Sequence, residues 1–253
     1  MVHWLEEVFG YESYTKDEPE DVSVEAVDYT DVDGAELRGY LAIPDESKWS
    51  LPAPAVVLIP DWDGVNTYEQ KRATMLAEAG YVALAADIYG KDLQNDLSIE
   101  IRGQQAGLYR GDKDLFVQRM ARAVDLLKEH PAVDSDNIAM FGYCFGGTGI
   151  VYYAFSNRTD IKLAASFHGG LANLPEDIPD QIVPYILVLS GGADDDAHGN
   201  QTIMEEAFDA GNAKWEISRW SGVGHGFTSW TSNNYNARAD VRSWEQTMTA
   251  SKF

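Results

Sequence analysis

Cysteine is almost absent from this sequence, with one residue, Cys144, in 253. A single thiol excludes an intramolecular disulfide framework and any metal site built from several cysteines. Long apolar runs are absent too, because no uninterrupted stretch approaches the length that spans a bilayer. The N-terminal residues lack a basic segment followed by an apolar run, so we expect no secretory signal and a cytoplasmic location.

Basic residues are also scarce, with 19 Lys and Arg against 41 Asp and Glu and a formal net charge of -22. Such a surface repels phosphate backbones and anionic lipid headgroups, so we expect neither a nucleic acid nor a membrane partner. Hydrophobic residues make up 45% and charged residues 24%, which is typical of a globular domain. The expectation is a monomer or homodimer that acts on a small molecule.

The chain divides into an acidic, aromatic N-terminal arm over residues 1–21 and one domain over residues 22–253. From Val22 to Ile43 apolar and polar residues alternate around the turn dipeptide Asp33-Gly34, which predicts a β-hairpin. Strand and helix patterns then follow one another to the C-terminus. This order predicts an α/β fold with a mostly parallel sheet, helices on both faces and an N-terminal antiparallel hairpin.

Apolar runs and helical periodicity place the elements of this domain. Strands are predicted at residues 55–59, 81–86, 137–141, 161–167, 185–189 and 215–220, and helices at residues 69–79, 113–130, from about 147, 204–210 and 237–248. Ligands of such sheets bind beyond the carboxyl ends of the strands. Residues that follow these strands are therefore the candidates for a functional site.

The strongest motif is Gly142-Tyr143-Cys144-Phe145-Gly146-Gly147, between a buried strand and a helix. It has the pattern of a nucleophile elbow, in which a sharp turn needs small residues two positions either side of the nucleophile. The turn places the sulfur at a helix N-terminus, which favours thiolate. The Phe145 amide would face a developing oxyanion. The alternative is a buried, inert cysteine in a glycine-rich crossover.

A thiol nucleophile needs a base, and His225 lies between glycines in the loop after the last predicted strand. It follows the nucleophile in the chain order that this type of site requires. The other histidines have different interpretations. His168 ends a strand and is a candidate for a supporting role, His3 and His130 are ordinary surface or core residues, and His198 lies in an acidic loop.

The third member should be a carboxylate just past the strand that precedes the histidine's strand. Ser190-Gly191-Gly192-Ala193-Asp194-Asp195-Asp196 offers three candidates. Asp194 is the one that the tight Gly-Gly turn would bring back over the strand end. Asp195 and Asp196 fit a solvated charge run or a helix cap.

Four separated motifs, spread over nearly the whole chain from Val22 to the C-terminal helix, resemble the dienelactone hydrolase family. They are Pro60-Asp61-Trp62-Asp63-Gly64-Val65-Asn66, Asp87-Ile88-Tyr89-Gly90-Lys91, Gly142-Tyr143-Cys144-Phe145-Gly146-Gly147 and Gly222-Val223-Gly224-His225-Gly226-Phe227. The resemblance implies an α/β-hydrolase fold and a triad of Cys144, Asp194 and His225. It also implies that the protein uses no metal and no organic cofactor.

The same resemblance assigns further roles. Asp61 stands where the family has an acid, typically Glu, that contacts the nucleophile and gates its ionisation, and the Trp62 amide matches the second oxyanion donor. Lys91 matches one of two basic residues that bind the substrate carboxylate, but Ser229 stands where the other would lie. Half of that anion clamp is missing, which leaves the dienelactone itself open as substrate. Asp61 as a plain loop carboxylate and Lys91 as a surface lysine are the alternatives.

These residues favour a hydrolase that cleaves a carboxylic ester or lactone through a cysteine acyl-enzyme. Two alternatives stay open: a protein that binds a small ligand without turnover, and a hydrolase of thioesters or organophosphates. A complete triad argues against the pure binder, because a binder has no need of an ordered nucleophile, acid and base. Assays of esters and lactones with and without a thiol alkylator would discriminate between these readings.

Overall fold

A computed structural model of the chain describes residues 22–94, 97–170, 174–194 and 201–252. The predicted N-terminal arm, residues 1–21, lies outside the described residues, as do Asp195, Asp196 and His198. Among the helices that are described, none has both the length and the apolar composition needed to cross a bilayer.

The core of the fold is one sheet of eight strands. In chain order they are β1 (Val22–Thr30), β2 (Glu36–Pro44), β3 (Ala53–Ile59), β4 (Val82–Ala85), β5 (Val133–Tyr143), β6 (Leu163–Phe167), β7 (Tyr185–Gly191) and β8 (Trp215–Trp220). Their order across the sheet is β1-β2-β4-β3-β5-β6-β7-β8. The pairs β1–β2 and β2–β4 are antiparallel, and every other pair is parallel.

Six α-helices are described with this sheet: α1 (Thr67–Glu78), α2 (Ile99–Gly111), α3 (Lys113–Lys128), α4 (Phe145–Ala154), α5 (Gln201–Ala210) and α6 (Ala237–Ala250). Buried side chains of α2, α3 and α4 pack on one face of the sheet, and those of α1 and α6 pack on the other. Both faces of β3 to β7 are therefore covered, which explains their continuous apolar runs.

The fold class predicted from the sequence is confirmed: a mostly parallel sheet, helices on both faces and an antiparallel N-terminal pair. Every predicted strand is present within a few residues of its expected bounds. The sequence pattern did not indicate α2, nor the short 3-10 helix at Lys91–Leu93. Because the carboxyl ends of the parallel strands meet at one edge, the loops that carry Asp61, Cys144, His168, Asp194 and His225 converge there.

Candidate active site

Cys144 occupies the turn between β5 and α4, with φ 50° and ψ -107°. Residues other than glycine rarely adopt a positive φ, so the backbone of this turn is strained and the surrounding structure holds it in place. The surroundings are close: a Cβ at Gly142 would overlap the Gly146 carbonyl, and a Cβ at Gly146 would overlap the Ile59 carbonyl. The two glycines therefore let the backbones pack tightly enough to present Cys144, half-buried, at the first turn of α4.

His225 links the thiol to a buried carboxylate. Its Nε2 lies 3.0 Å from the Cys144 Sγ, and its Nδ1 lies 3.0 Å from the Asp194 Oδ2. The His225 side chain is 32% exposed, whereas that of Asp194 is 1% exposed. Burial lowers the pKa of His225, but the hydrogen bonds to Asp194 and Cys144 outweigh it and raise the pKa to about 10.

The two glycines before Asp194 explain how it reaches the histidine. Gly191 and Gly192 press against the backbone around Val223 and Trp220, where a Cβ would overlap carbonyl oxygens. The Ala193 amide donates to the Val223 carbonyl at 2.8 Å, which ties this turn to the loop that leads to His225. The turn therefore brings Asp194 under the imidazole.

These side chains border a cavity of about 290 Å³. Its lining includes Cys144, His225, His168, Asp61 and Trp62, together with hydroxyl and amide side chains of the loop after His225. The described lining contains no lysine or arginine, and its hydroxyl and amide side chains are those of Tyr68, Thr228, Ser229, Thr231, Ser232 and Asn234. The cavity can therefore accommodate a small molecule beside the thiol.

Of the two residues whose amides are expected to stabilise an oxyanion, Phe145 directly follows Cys144 and Trp62 lines the same cavity. Phe145 opens α4, where the first N–H groups of a helix have no partner within it. Trp62 lies in the loop after β3 and lines the cavity, and its carbonyl accepts a hydrogen bond from the Tyr89 hydroxyl at 3.0 Å. The tyrosine fixes the orientation of the loop that carries the Trp62 amide.

Asp61 lines the same cavity in a cluster of three carboxylates. Its Oδ1 accepts a hydrogen bond from the Asp63 amide at 3.0 Å, and the described contacts include no hydrogen bond from Asp61 to Cys144. Burial, a side-chain hydrogen bond with Asp63 and the charge of Glu69 raise the pKa of Asp61, and they outweigh the bond from the Asp63 amide, which lowers it. Burial, followed by the charge of Asp63, also raises the pKa of Glu69.

This acidic cluster is the one group among the described residues whose side chains could together approach a metal ion, with ligand atoms within 4.8 Å of one another. Its carboxylates already have partners in the protein. Glu69 accepts from the Asn66 amide at 3.1 Å and completes the capping box of α1, and Asp63 pairs with Arg102 at 3.3 Å. The carboxylates thus have a structural explanation within the loop itself.

Lys91, which the family resemblance assigns to the substrate, is not brought to this cavity. Its Nζ pairs with the Asp28 carboxylate at 2.8 Å, and Arg38 binds the same carboxylate from β2. These side chains are partly exposed at the antiparallel edge of the sheet. Ser229, in contrast, does line the cavity.

Beneath the cavity lies a polar network that the sequence indicated only through His168. The buried His168 ring contacts the Cys144 amide and the Thr228 hydroxyl. Tyr68 and Arg72 continue the network, and Arg72 pairs with Asp240. The helical pattern of α1 marked a buried face, but nothing in the sequence indicated that Arg72 belongs to it.

Comparison with known proteins places this chain in a family. The family model described as the dienelactone hydrolase family matches residues 37–252. A Bradyrhizobium protein named "Probable 2-oxo-3-(5-oxofuran-2-ylidene)propanoate lactonase" is 28% identical over 236 residues, which cover 88% of this chain and 92% of that protein.

Solved structures agree with this match. The crystal structure of a dienelactone hydrolase-like promiscuous phosphotriesterase from metagenomic libraries has a TM-score of 0.83 and 28% identity, over 92% of this chain and 98% of that one. A dienelactone hydrolase from Anabaena variabilis shares the fold, with a TM-score of 0.65 and 20% identity over 91% and 99% of the two chains. The chain is therefore a hydrolase enzyme and belongs to the dienelactone hydrolase family.

Proposed function

We propose that the protein hydrolyses a carboxylic ester or lactone through a cysteine acyl-enzyme. Cys144 is the nucleophile, His225 the general base and acid, and Asp194 the residue that orients the imidazole. The observation that carries this proposal is the line of two 3.0 Å contacts from the Cys144 Sγ through His225 to the buried Asp194. A nucleophile, a base and an orienting group within hydrogen-bond reach are the signature of covalent catalysis.

The electrostatics of the site support the reactive form of the thiol. With its pKa raised to about 10, His225 holds a proton on both nitrogens at neutral pH. Nδ1 then donates to Asp194, and Nε2 donates to the Cys144 sulfur. The position of the sulfur at the first turn of α4 favours its thiolate form.

In acylation, the thiolate attacks the carbonyl carbon and a C–S bond forms, while the carbonyl oxygen takes the negative charge. The amides of Phe145 and Trp62 are the donors proposed for this oxyanion. As the intermediate collapses, the C–O bond to the leaving group breaks and His225 gives it the Nε2 proton. The products are a thioester on Cys144 and a free alcohol, or, for a lactone, a hydroxyacyl group in one piece.

In deacylation, the now neutral His225 takes a proton from a water molecule as that water attacks the thioester carbonyl. The C–S bond then breaks, the carboxylic acid leaves, and the thiolate–imidazolium pair is restored. Throughout, the carboxylate of Asp194 holds Nδ1 in one orientation and stabilises the positive charge on the ring.

The residues that line the cavity favour a neutral ester as substrate over an ester that carries a carboxylate. Its described lining combines Asp61 and Asp63 with hydroxyl and amide groups and contains no lysine or arginine. Lys91 is engaged with Asp28 at the sheet edge, and Ser229 cannot form the charge-assisted bonds of a guanidinium. Anionic substrates would also approach a chain of net charge -22 more slowly.

A second candidate activity is the hydrolysis of neutral phosphotriesters. It is supported by the similarity to the promiscuous phosphotriesterase, over nearly the full length of both chains. The same thiolate would attack phosphorus and expel the aryloxide, and water would then cleave the S–P bond with His225 as base. A neutral phosphotriester fits a lining without lysine or arginine in the same way as a neutral ester.

The test is a panel of p-nitrophenyl esters, simple lactones and a p-nitrophenyl dialkyl phosphate, assayed before and after treatment with iodoacetamide. We expect ester or lactone hydrolysis that disappears as one carboxamidomethyl group, located on Cys144 by mass spectrometry, is added per chain. Hydrolysis that survives full alkylation would refute the cysteine mechanism. An intact, alkylatable thiol with no turnover of any substrate in the panel would favour a binding protein.

A further inference from the structure

His168 lies directly behind the proposed nucleophile, at the carboxyl end of β6. Only 3% of its surface is exposed, and its backbone has φ 40°. The Cys144 amide donates to its Nδ1 at 3.2 Å and is shared with the Phe167 carbonyl at 2.9 Å. The other ring nitrogen, Nε2, lies 2.8 Å from the Thr228 Oγ1. Both nitrogens of this buried ring are therefore engaged.

These contacts fix the position of the ring proton. A backbone amide can only donate, so the Nδ1 of His168 must be the unprotonated nitrogen that accepts from Cys144. A neutral imidazole carries its proton on the other nitrogen, and Nε2–H then donates to the Thr228 Oγ1. A proton on Nδ1 would place two N–H groups against each other. The geometry therefore permits only the neutral Nε2–H form.

The partner of Nε2 is itself held by a buried ion pair. The Tyr68 hydroxyl donates to the Thr228 Oγ1 at 2.8 Å and accepts from the Arg72 Nε at 3.2 Å. The Arg72 side chain is 1% exposed and pairs with Asp240 at 2.5 Å, and it also donates to the Thr228 carbonyl at 3.3 Å. A continuous hydrogen-bonded chain thus runs from this ion pair to the Cys144 amide.

The charges around His168 favour its neutral form, as the hydrogen bonds do. Its ring lies edge-on to the His225 ring, with the centroids 5.2 Å apart. Burial first, and then the positive charges of His225 and Arg72, lower the pKa of His168 well below its usual value. Because the His168 ring is neutral, it does not repel the positive charge of the His225 imidazolium.

We infer that His168 is a positioning residue for the nucleophile: its Nδ1 accepts the Cys144 amide and thereby holds the elbow in its left-handed turn. The network from Asp240 to Thr228 keeps the ring in the form that can accept. This inference rests on the proposed role of Cys144, and it assigns to His168 no contact with the reacting atoms.

Two amide side chains separate the functions of the ring nitrogens. In His168→Asn the Oδ1 takes the place of Nδ1 and can accept from the Cys144 amide, and asparagine tolerates positive φ. In His168→Gln the amide nitrogen takes the place of Nε2 and can donate to Thr228, but no acceptor faces Cys144. His168→Ala supplies neither group.

The primary measurement is the rate at which iodoacetamide alkylates Cys144, because it reports on the nucleophile without any substrate. We expect His168→Asn to keep the rate within about threefold of wild type, and His168→Gln and His168→Ala to lose about tenfold. The inference is overturned if Asn is not clearly faster than Gln, because only the Asn side chain offers an acceptor to the Cys144 amide.

His130→Ala is the matched control, because the His130 Nδ1 also accepts a backbone amide at 3.2 Å, that of Ala132, but outside the cavity. Its alkylation rate should equal that of wild type. In hydrolysis assays the His168→Gln change should lower kcat about tenfold with little change in KM, because the position of the nucleophile is affected more than substrate contacts.

The wild-type protein provides a test that does not depend on the folding of variants. Nitrogen-15 NMR of labelled histidine should show an unprotonated Nδ1 and a protonated Nε2 for His168 at neutral pH. A protonated Nδ1 would overturn the inference. If no ester is hydrolysed but the Asn and Gln variants still differ in alkylation, the proposed function fails while the role of His168 in positioning Cys144 stands.

Discussion

Two groups of titratable side chains at the cavity, here called the triad side and the acid side, differ in whether the ionised or the neutral form is favoured. On the triad side, formed by Cys144, His225 and Asp194, unlike charges face each other, and the pKa of His225 is raised so that the ionised form is favoured. On the acid side, Asp61 and Asp63 line the cavity and Glu69 is buried next to them. Burial first, and then the neighbouring carboxylates, raise the pKa values of Asp61 and Glu69 so that the neutral form is favoured.

The difference is consistent with the thiolate proposed at Cys144 in a strongly acidic chain. The proposed thiolate would lie beside a positively charged His225, whereas the raised pKa values of Asp61 and Glu69 suppress the negative charge of those two carboxyl groups. Of the 41 acidic residues, the described lining of the cavity contains two, Asp61 and Asp63. The triad side is therefore expected to determine the chemistry, and the acid side to influence stability and substrate preference. Changes on the two sides should separate these effects.

The largest effect is expected from the Cys144→Ala change, which removes the nucleophile from the triad side. Hydrolysis of p-nitrophenyl acetate should fall by about 10⁵-fold or more, because the nucleophile and its base act as a unit. His225→Ala should be about as damaging. Thermal melting provides the control that both variants remain folded. Activity close to that of wild type in Cys144→Ala would show that Cys144 is not the nucleophile.

Asp194→Asn should have the next largest effect. Loss of the carboxylate that bonds Nδ1 should lower kcat by about 10³-fold, since the imidazole loses both its orientation and the partner that stabilises its charge. Asp209→Asn, an exposed carboxylate that accepts from Trp215, is the matched control and should be silent. The predicted silence of Asp195→Asn and Asp196→Asn tests the register of this turn. A large loss of activity in Asp195→Asn would mean that Asp195, and not Asp194, orients His225.

On the acid side, Asp61→Asn should raise stability at neutral and alkaline pH. The pKa of Asp61 is raised in the folded chain, so its contribution to stability is complete below the unfolded value of about 4 and is lost as the pH rises. The variant has no such loss. Its Tm should therefore exceed that of wild type by about 2–4 °C at about pH 8, and by less at about pH 5.

Asp28→Asn is the matched control for this pH dependence. The hydrogen bonds from Arg38 and Lys91 lower the pKa of Asp28, so its stabilising contribution is present at neutral pH and is lost on acidification. Removing that charge should leave Tm at about pH 8 unchanged or slightly lower. An Asp61→Asn variant that melts below wild type at this pH would mean that the Asp61 carboxylate is ionised and stabilising.

The smallest effect is expected from Ser229→Arg, which adds a cation to the cavity without touching the triad. Wild type should have a higher kcat/KM for a neutral ester than for its carboxylate-bearing analogue. The arginine should narrow this gap by about threefold, as a single exposed ion pair contributes only about 0–1 kcal/mol. Ser229→Gln supplies similar bulk without charge and should not narrow it. A wild-type preference for the anionic ester would show that another cation serves this cavity.

The sequence predicted the elements whose signals are local. β3 and its parallel neighbours are buried on both faces and read as apolar runs, and the elbow, the turn before Asp194 and the loop of His225 follow such strands. Helix α2 gave no such signal. It contains Gly103 and Gly107, its residues Ile99 and Leu108 are exposed, and only Ala106 and Tyr109 are buried.

Long-range contacts could not be predicted from the sequence. Lys91 pairs with Asp28, 63 residues away on the edge strand, and nothing local to either residue indicates this. The network behind Cys144 joins Tyr68 to Thr228 over 160 residues and Arg72 to Asp240 over 168. A buried arginine in a helix reads as a surface residue until its partner is known.

The glycines of the elbow also define how the enzyme could be altered. At positions 142 and 146 any side chain would enter the backbone of a neighbouring turn, so directed evolution can recover almost nothing there. The loop after His225 is different, since Ser229, Ser232 and Asn234 border the cavity and are half-buried or exposed. Libraries restricted to this loop could change the substrates that are accepted while the nucleophile and its turn stay as they are.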